Sequence, residues 1–185
     1  MKYIESRFPI VLSYLLILGV ALLRIELFNP YNVVPVFSCL LLFAATRPVR
    51  EFVLPLSALV GVDVFLTTHQ YGYPLTLDAV VTWIWYVIVM LLGSGLLRSL
   101  PSWRRVAAST LLASVSFFLV SNLAVWVVWQ MYPKSLAGLG ACYLAALPFF
   151  RNSLTSELCF SLLLFGLMGY VKSLAILGND RHAHC

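Results

Sequence analysis

Seven apolar runs, separated by short turns carrying Pro, Gly and charged residues, set the limits on what this chain can fold into. They cover residues 8–28, 31–46, 52–68, 78–97, 106–129, 135–150 and 153–177. A helix crossing a bilayer core needs about 20 predominantly apolar residues, with about 17 as a lower limit. Six of the runs meet or approach that length. The chain has 185 residues, 62% of them apolar and 10% charged. A soluble domain carries roughly 25% charged residues, and a chain this short has too high a surface-to-volume ratio to hide so much apolar surface inside itself. The excess is expected to face lipid.

Turn chemistry agrees with this division. Asn29-Pro30 and Arg47-Pro48 end the first two runs, Tyr71-Gly72-Tyr73-Pro74 separates the third from the fourth, and Leu100-Pro101-Ser102 the fourth from the fifth. Tyr132-Pro133 closes the fifth. The loops are short, so consecutive helices are expected to pack antiparallel. The chain reads as a single helical domain over 1–178 with a short tail at 179–185, without a linker or an internal repeat. The segment from Met1 to Ala21 has a basic start and no A-x-A-like site after it, and is read as a retained first helix.

The net charge of +5 is explained by loop cations that set orientation. No aromatic-basic RNA motif accompanies it, so nucleic acid is not an expected partner. With the N-terminus cytoplasmic and six spans, nine of the twelve basic residues fall inside, Arg47, Arg50, Arg98, Arg104 and Arg105 among them. Arg24, Lys134 and Arg151 fall outside. A seventh span fits the bias less well. The run at 135–150 is short, holds Gly138 and Gly140, and ends near Pro148. It is therefore expected to be a re-entrant or lid helix at the outer face before the last span. Its Ala137, Ala141 and Ala145 form a small-residue stripe suited to close helix packing. The expected fold is an all-α integral membrane protein of about six transmembrane helices. It is expected to be multi-pass in a bacterial inner membrane, with both termini cytoplasmic.

Ionisable side chains at membrane depth cost about 2.5–3.5 kcal/mol each on insertion scales and usually face a cavity or a partner. Arg24, Glu26 and Asp63 are in that position. Arg24 and Glu26 lie two apart and cannot pair directly, whereas Arg24 can meet Asp63 between helices. An Arg that snorkels and an Asp that bonds its neighbours is the plainer reading. Asn122, Trp126 and Trp129 share a face of the fifth helix and could hold a ring by stacking and hydrogen bonding, or could serve as helix contact and aromatic belt. Trp83, Trp85, Tyr86, Tyr71 and Tyr73 make the outer end aromatic, as a belt or as the mouth of a ligand site. Asn152 or Ser153 can cap the last helix, with Glu157 complementing that helix's dipole. Arg151, outside against the charge bias, could meet an anionic group.

Catalytic patterns are missing. There is no G-x-S-x-G elbow, H-E-x-x-H or P-loop, and three histidines leave little material for a triad. Gly93-Ser94-Gly95 is read as packing. Cys39, Cys142, Cys159 and Cys185 form no C-x-x-C pair, and no metal site or cofactor is expected. The His182-Ala183-His184-Cys185 ending could hold a borderline metal, but reads more simply as a loose tail.

Several words of the sequence form a recognisable set: Asn29-Pro30 through Pro35-Val36, Gly61-Val62-Asp63, Ser121-Asn122 through Trp126, Tyr132-Pro133 through Leu139, Cys142-Tyr143, and Pro148-Phe149-Phe150-Arg151-Asn152. This pattern resembles a family of small bacterial membrane proteins that is itself similar to the substrate-binding S components of energy-coupling-factor transporters. The resemblance implies six helices and an outward pocket that captures a vitamin or similar micronutrient. It also implies an ATP-driven coupling module as partner. The Ala-x-x-x-Ala docking stripe of many S components is absent; the first helix offers Ser13, Gly19 and Ala21 instead. The family pattern carries over to Asn29, Asp63, Asn122, Trp126, Tyr132, Arg151 and Asn152.

The expected function is capture of a small-molecule substrate for transport, without catalysis. The site would be lined by Asp63, Asn122 and Trp126, with Arg151 near its mouth and Arg24, Asn29, Tyr132 and Asn152 about it. The alternative is a non-enzymatic scaffold that holds other membrane proteins through its helix faces.

Overall fold

The computed structural model describes residues 2–26, 35–98 and 102–183. Six α-helices account for nearly all of it: α1 Lys2–Glu26, α2 Val36–Thr46, α3 Val53–Phe65, α4 Leu77–Leu96, α5 Trp103–Val128 and α6 Leu136–Ala183. No strand occurs among the described residues. A single 3-10 turn, Val49–Glu51, joins α2 to α3, and a π-helical segment, Leu66–Gln70, prolongs α3.

The centre of the fold is its shortest α-helix. α2 is apolar all round and nine of its 11 residues are buried, as expected of a helix with no polar face. It packs on α4, α1 and α6, and more lightly on α5. A tight approach of α4 to α2 is made at Gly93, where a Cβ would stand 2.9 Å from the Leu41 carbonyl oxygen and 3.1 Å from the Ala44 Cβ. Of the Gly93-Ser94-Gly95 stretch expected to pack, Gly93 does so, whereas a Cβ at Gly95 would meet nothing within 4 Å. α5 and α6 run antiparallel, Trp103 lying against Gly166 at one end and Phe118 stacking on Phe150 towards the other. Among the described residues, three helical stretches are long and apolar enough to cross a membrane: Leu77–Leu96, Trp103–Val128 and Leu136–Val171.

The expected break between a lid helix at 135–150 and a last span at 153–177 does not occur. Both belong to α6, a continuous helix of 48 residues, about 72 Å long at roughly 1.5 Å per residue. Pro148 lies inside it. A proline removes one intrahelical hydrogen bond and usually kinks or breaks a helix. Here the segments on either side of it are both anchored to α5. Tyr143 donates its hydroxyl hydrogen bond to the Leu119 carbonyl at 2.6 Å, Phe118 meets Tyr143 edge to face, and Phe118 stacks on Phe150 at 4.3 Å. The cap moves with the boundary. It is Ser135 that accepts from the Gly138 N–H, at 3.2 Å, rather than Asn152 or Ser153 at a later start. α6 also continues to Ala183, through most of the segment expected as a tail.

Candidate functional site

A cavity of about 450 Å³ opens at the end of the bundle formed by the Tyr71–Thr76 connection, the start of α4 and the end of α5. Its wall draws on all six α-helices, with Leu66 and Thr67 from the π-helical segment. The wide turn there is closed by the Tyr71 N–H donating to Leu66 O, and the Tyr73 N–H then donates to Thr67 O. Gly72 makes the reversal, with φ at +67°, a conformation that costs glycine little. π-helical turns are frequent beside functional sites.

Arg24 of α1 and Asp63 of α3 meet across this cavity. Arg24 Nη2 lies 2.5 Å from Asp63 Oδ1. Arg24 Nη1 donates to the Tyr86 hydroxyl at 2.6 Å, and that hydroxyl donates to Asp63 Oδ2 at 3.0 Å. The three side chains thus close a ring that ties α1, α3 and α4 together. Tyr86 is 2% exposed, which separates it from an aromatic-belt residue. Trp83 also lines the cavity, and its indole N–H is sealed from solvent without a hydrogen bond of good geometry. Tyr73 meets Trp129 edge to face at 5.8 Å, and both line the cavity with Tyr71 and Phe117.

A second polar centre borders the same cavity. Glu157 of α6 is 2% exposed and accepts from the backbone N–H groups of Phe37 at 2.9 Å and Ser38 at 2.7 Å, and from the Ser38 hydroxyl. These amides belong to the first turn of α2. The residue preceding that helix is Pro35, which supplies no side-chain cap. Glu157 therefore serves α2 as a cap from another helix, where the spacing had suggested that it complements the dipole of its own. The polar chain continues inward. Ser161 donates to Ser38 at 3.0 Å, and Thr110 donates to Ser161 at 2.8 Å or to the Val106 carbonyl at 2.9 Å.

Of the residues expected at the site, Arg24 and Asp63 line the cavity; Asn122, Trp126, Tyr132, Arg151 and Asn152 are not among its lining residues. The Asn122 amide donates to the Phe118 carbonyl one turn earlier, and the Asn122 carbonyl faces the Cys142 thiol. The Trp126 indole donates to the Pro133 carbonyl and its ring lies under the Lys134 ammonium. Lys134 in turn covers the last carbonyls of α5, those of Trp126, Val127 and Trp129. Trp126 and Lys134 thus shape the α5–α6 turn, while Asn122 contacts α6 at Cys142. Asn122 and Trp126 share a face as their spacing implies, but it turns towards the start of α6 rather than towards Asp63; Trp129, expected on the same face, stands past the helix end in extended backbone and lines the cavity. Tyr132 is half-buried in the same turn, Arg151 is exposed and Asn152 is half-buried. Asn29 lies outside the described residues. Tyr86, Trp83, Asp78 and Glu157 complete the site; the only signal for the two aromatics was the aromatic clustering at one end of α4.

Among the described residues, no group of three or more His, Cys, Asp or Glu side chains converges as a metal site would require. Cys39 and Cys142 are buried free thiols and Cys159 is an exposed one.

A family model described as a family of unknown function (DUF6580) matches residues 4–177. No curated protein and no solved structure matches the chain.

Proposed function

The chain belongs to that family of unknown function, and we propose that it is a polytopic inner-membrane protein that captures a small molecule in the Arg24–Tyr86–Asp63 cavity for transport. The cavity carries this reading. It has the size of small-molecule sites, about 300–1,000 Å³, and their composition of aromatic walls with a few placed polar groups. Ionisable residues held at membrane depth are functional candidates by default, and here two of them face a hollow instead of being packed away.

Three observations support the membrane setting. Helices α4, α5 and α6 have the length and apolarity of spans. Large apolar side chains such as Val53, Leu77, Leu136 and Leu144 stand outward, as expected where lipid rather than water covers the helices. Basic residues favour one set of loops, a bias that supports cytoplasmic termini and a cavity open to the outside. The likeness to S components agrees with an outward pocket. A coupling partner would need a docking face other than α1, whose outward surface is Val11, Leu15, Leu18 and Leu22, while Ser13 and Ala21 are buried.

The direct test is extraction and mass spectrometry of small molecules retained by the protein purified in mild detergent. A single retained species, reduced in Tyr86→Phe and Trp129→Ala variants, is the expected result. The rival reading as a membrane scaffold draws on one observation: Ala137, Ala141 and Ala145 form an exposed stripe along α6, the geometry that lets a second helix approach closely. An extract without any small molecule, together with a stoichiometric protein partner, would favour the scaffold.

A further inference from the structure

We infer that the occupant of the cavity is an organic cation with a flat or aromatic body, an inference that rests on the cavity being a capture site. Four carboxylate or guanidinium side chains line it: Arg24, Asp63, Asp78 and Glu157. Arg24 is spent. One guanidinium nitrogen is held by Asp63 at 2.5 Å and another by the Tyr86 hydroxyl at 2.6 Å, so the pair is neutral as seen by a ligand. Two carboxylates remain without a cation opposite them.

Each of these carboxylates sits at the start of a helix. Glu157 accepts from the first-turn amides of α2. Asp78 stands in the first turn of α4 and accepts from the Thr76 hydroxyl. A helix N-terminus is equivalent to about half a positive charge, so the two ends offset about one of the two negative charges. Roughly one negative charge is left over the cavity on this accounting. Lys134 and Arg151, the other basic residues of this end, do not line it, and Lys134 is committed to the α5 carbonyls.

The aromatic wall acts in the same direction. Tyr71, Tyr73, Trp83, Phe117 and Trp129 line the cavity, and ring faces attract cations and repel anions through their quadrupoles. Tyr71 and Tyr73 are 47% and 58% exposed, which puts them at the mouth. An anion would meet Asp78 and several ring faces, with the Glu157 charge buried behind them and the one cation already engaged. A neutral ligand would gain nothing from the residual charge. Charge and quadrupole agree on a cation, and the tyrosine and tryptophan surfaces favour one with a flat body to stack.

The test compares three probes of similar size on the purified protein in phosphatidylcholine discs: benzyltrimethylammonium, N,N-dimethylbenzamide and benzenesulfonate. Tryptophan fluorescence and thermal unfolding report binding. The expected result is saturable binding of benzyltrimethylammonium at least tenfold tighter than the other two. It should weaken several-fold in Asp78→Asn and be restored in Asp78→Glu, with all three proteins sharing one unfolding profile. Equal or tighter binding of benzenesulfonate or the neutral amide would overturn the cation assignment and leave capture standing. So would a cation affinity indifferent to Asp78→Asn. Failure of all three probes, with an empty small-molecule extract, would overturn both the assignment and the capture reading.

Discussion

Glu157 and Ser38, 119 positions apart in the chain, form one hydrogen-bonded unit: the glutamate accepts from both the backbone N–H and the hydroxyl of the serine. Both residues are buried, Ser38 completely. The contact gives α2 the cap that Pro35 cannot give, and fixes α6 against the central helix.

Replacing Glu157 by Gln keeps the shape and removes the charge. Hydrogen bonds to charged groups contribute about 1.5–3 kcal/mol each, so a loss of about 2–3 kcal/mol is expected. Ser38→Ala should cost about 1–2 kcal/mol. The double variant should fall short of the sum, because each change removes part of the same unit. Denaturant or thermal unfolding in detergent measures all three, and an unaltered midpoint in Glu157→Gln would contradict the cap.

The Arg24–Asp63 pair predicts an asymmetry. Removing one partner of a buried pair costs about 3–5 kcal/mol because the other charge is stranded. The Arg24 side chain is 23% exposed, which screens it in part, so Asp63→Asn is expected to fall below that range, at about 2–3 kcal/mol. The Arg24→Met, Asp63→Leu double variant should recover most of that stability while losing the retained small molecule. Equal destabilisation in single and double variants would count against the pair.

Gly93 and Gly95 lie two residues apart on α4 and should respond in opposite directions. A Cβ at Gly93 meets the Leu41 carbonyl at 2.9 Å, whereas one at Gly95 meets nothing within 4 Å. Gly93→Ala should cost about 1–3 kcal/mol by overpacking. Gly95→Ala should be neutral or stabilising by about 0.5–1 kcal/mol through helix propensity. Unfolding midpoints of the two variants side by side decide the matter.

Glu51, in the turn between α2 and α3, predicts a pH dependence. The Tyr14 hydroxyl donates to it at 2.6 Å, and Arg47 pairs with it through Nε and Nη2. The hydrogen bond from Tyr14, then that from Arg47, holds its carboxyl below the ordinary range. A carboxyl lowered in the folded state contributes stability above its unfolded pKa, about 4.3, and loses it as pH falls through the lowered folded value. The difference in melting temperature between the native protein and Glu51→Gln should be largest at neutral pH and shrink on acidification below pH of about 4. A difference that stays constant with pH would remove the linkage.

The proposed orientation is checked by cysteine labelling. With the three native thiols at Cys39, Cys142 and Cys159, and Cys185, replaced by Ser, a thiol at Tyr73→Cys should react with an impermeant reagent in intact cells. One at Arg104→Cys should react only after permeabilisation. The reverse pattern would invert the topology and close the cavity to the outside.

Local chemistry made most helices legible. The run at 78–97 became α4 Leu77–Leu96, and the run at 106–129 became α5 Trp103–Val128, because apolar length and Pro or Gly punctuation act on the segment that carries them. The Arg24–Asp63 meeting was also foreseeable, since two opposite charges in apolar runs have few other ways to be satisfied. The α6 boundary was not foreseeable from those signals. Gly138, Gly140 and Pro148 predict a break, and what carries the helix through is contact of Tyr143 and Phe150 with α5. Asn122 and Trp126 show a second limit. Helical spacing establishes that they share a face, but not what the face meets.

The sequence by itself determined that this chain is helical, roughly where each helix lies, and which polar groups are too few and too deep to be incidental. Tertiary structure alone decided that Tyr86 joins Arg24 to Asp63, that Glu157 serves α2 instead of its own helix, and that the Asn122–Trp126 face turns to the α5–α6 connection. The reason is range. Helix formation is governed by neighbours within a turn or two, whereas partnership between side chains more than a hundred residues apart depends on how the apolar faces of whole helices come to rest against each other.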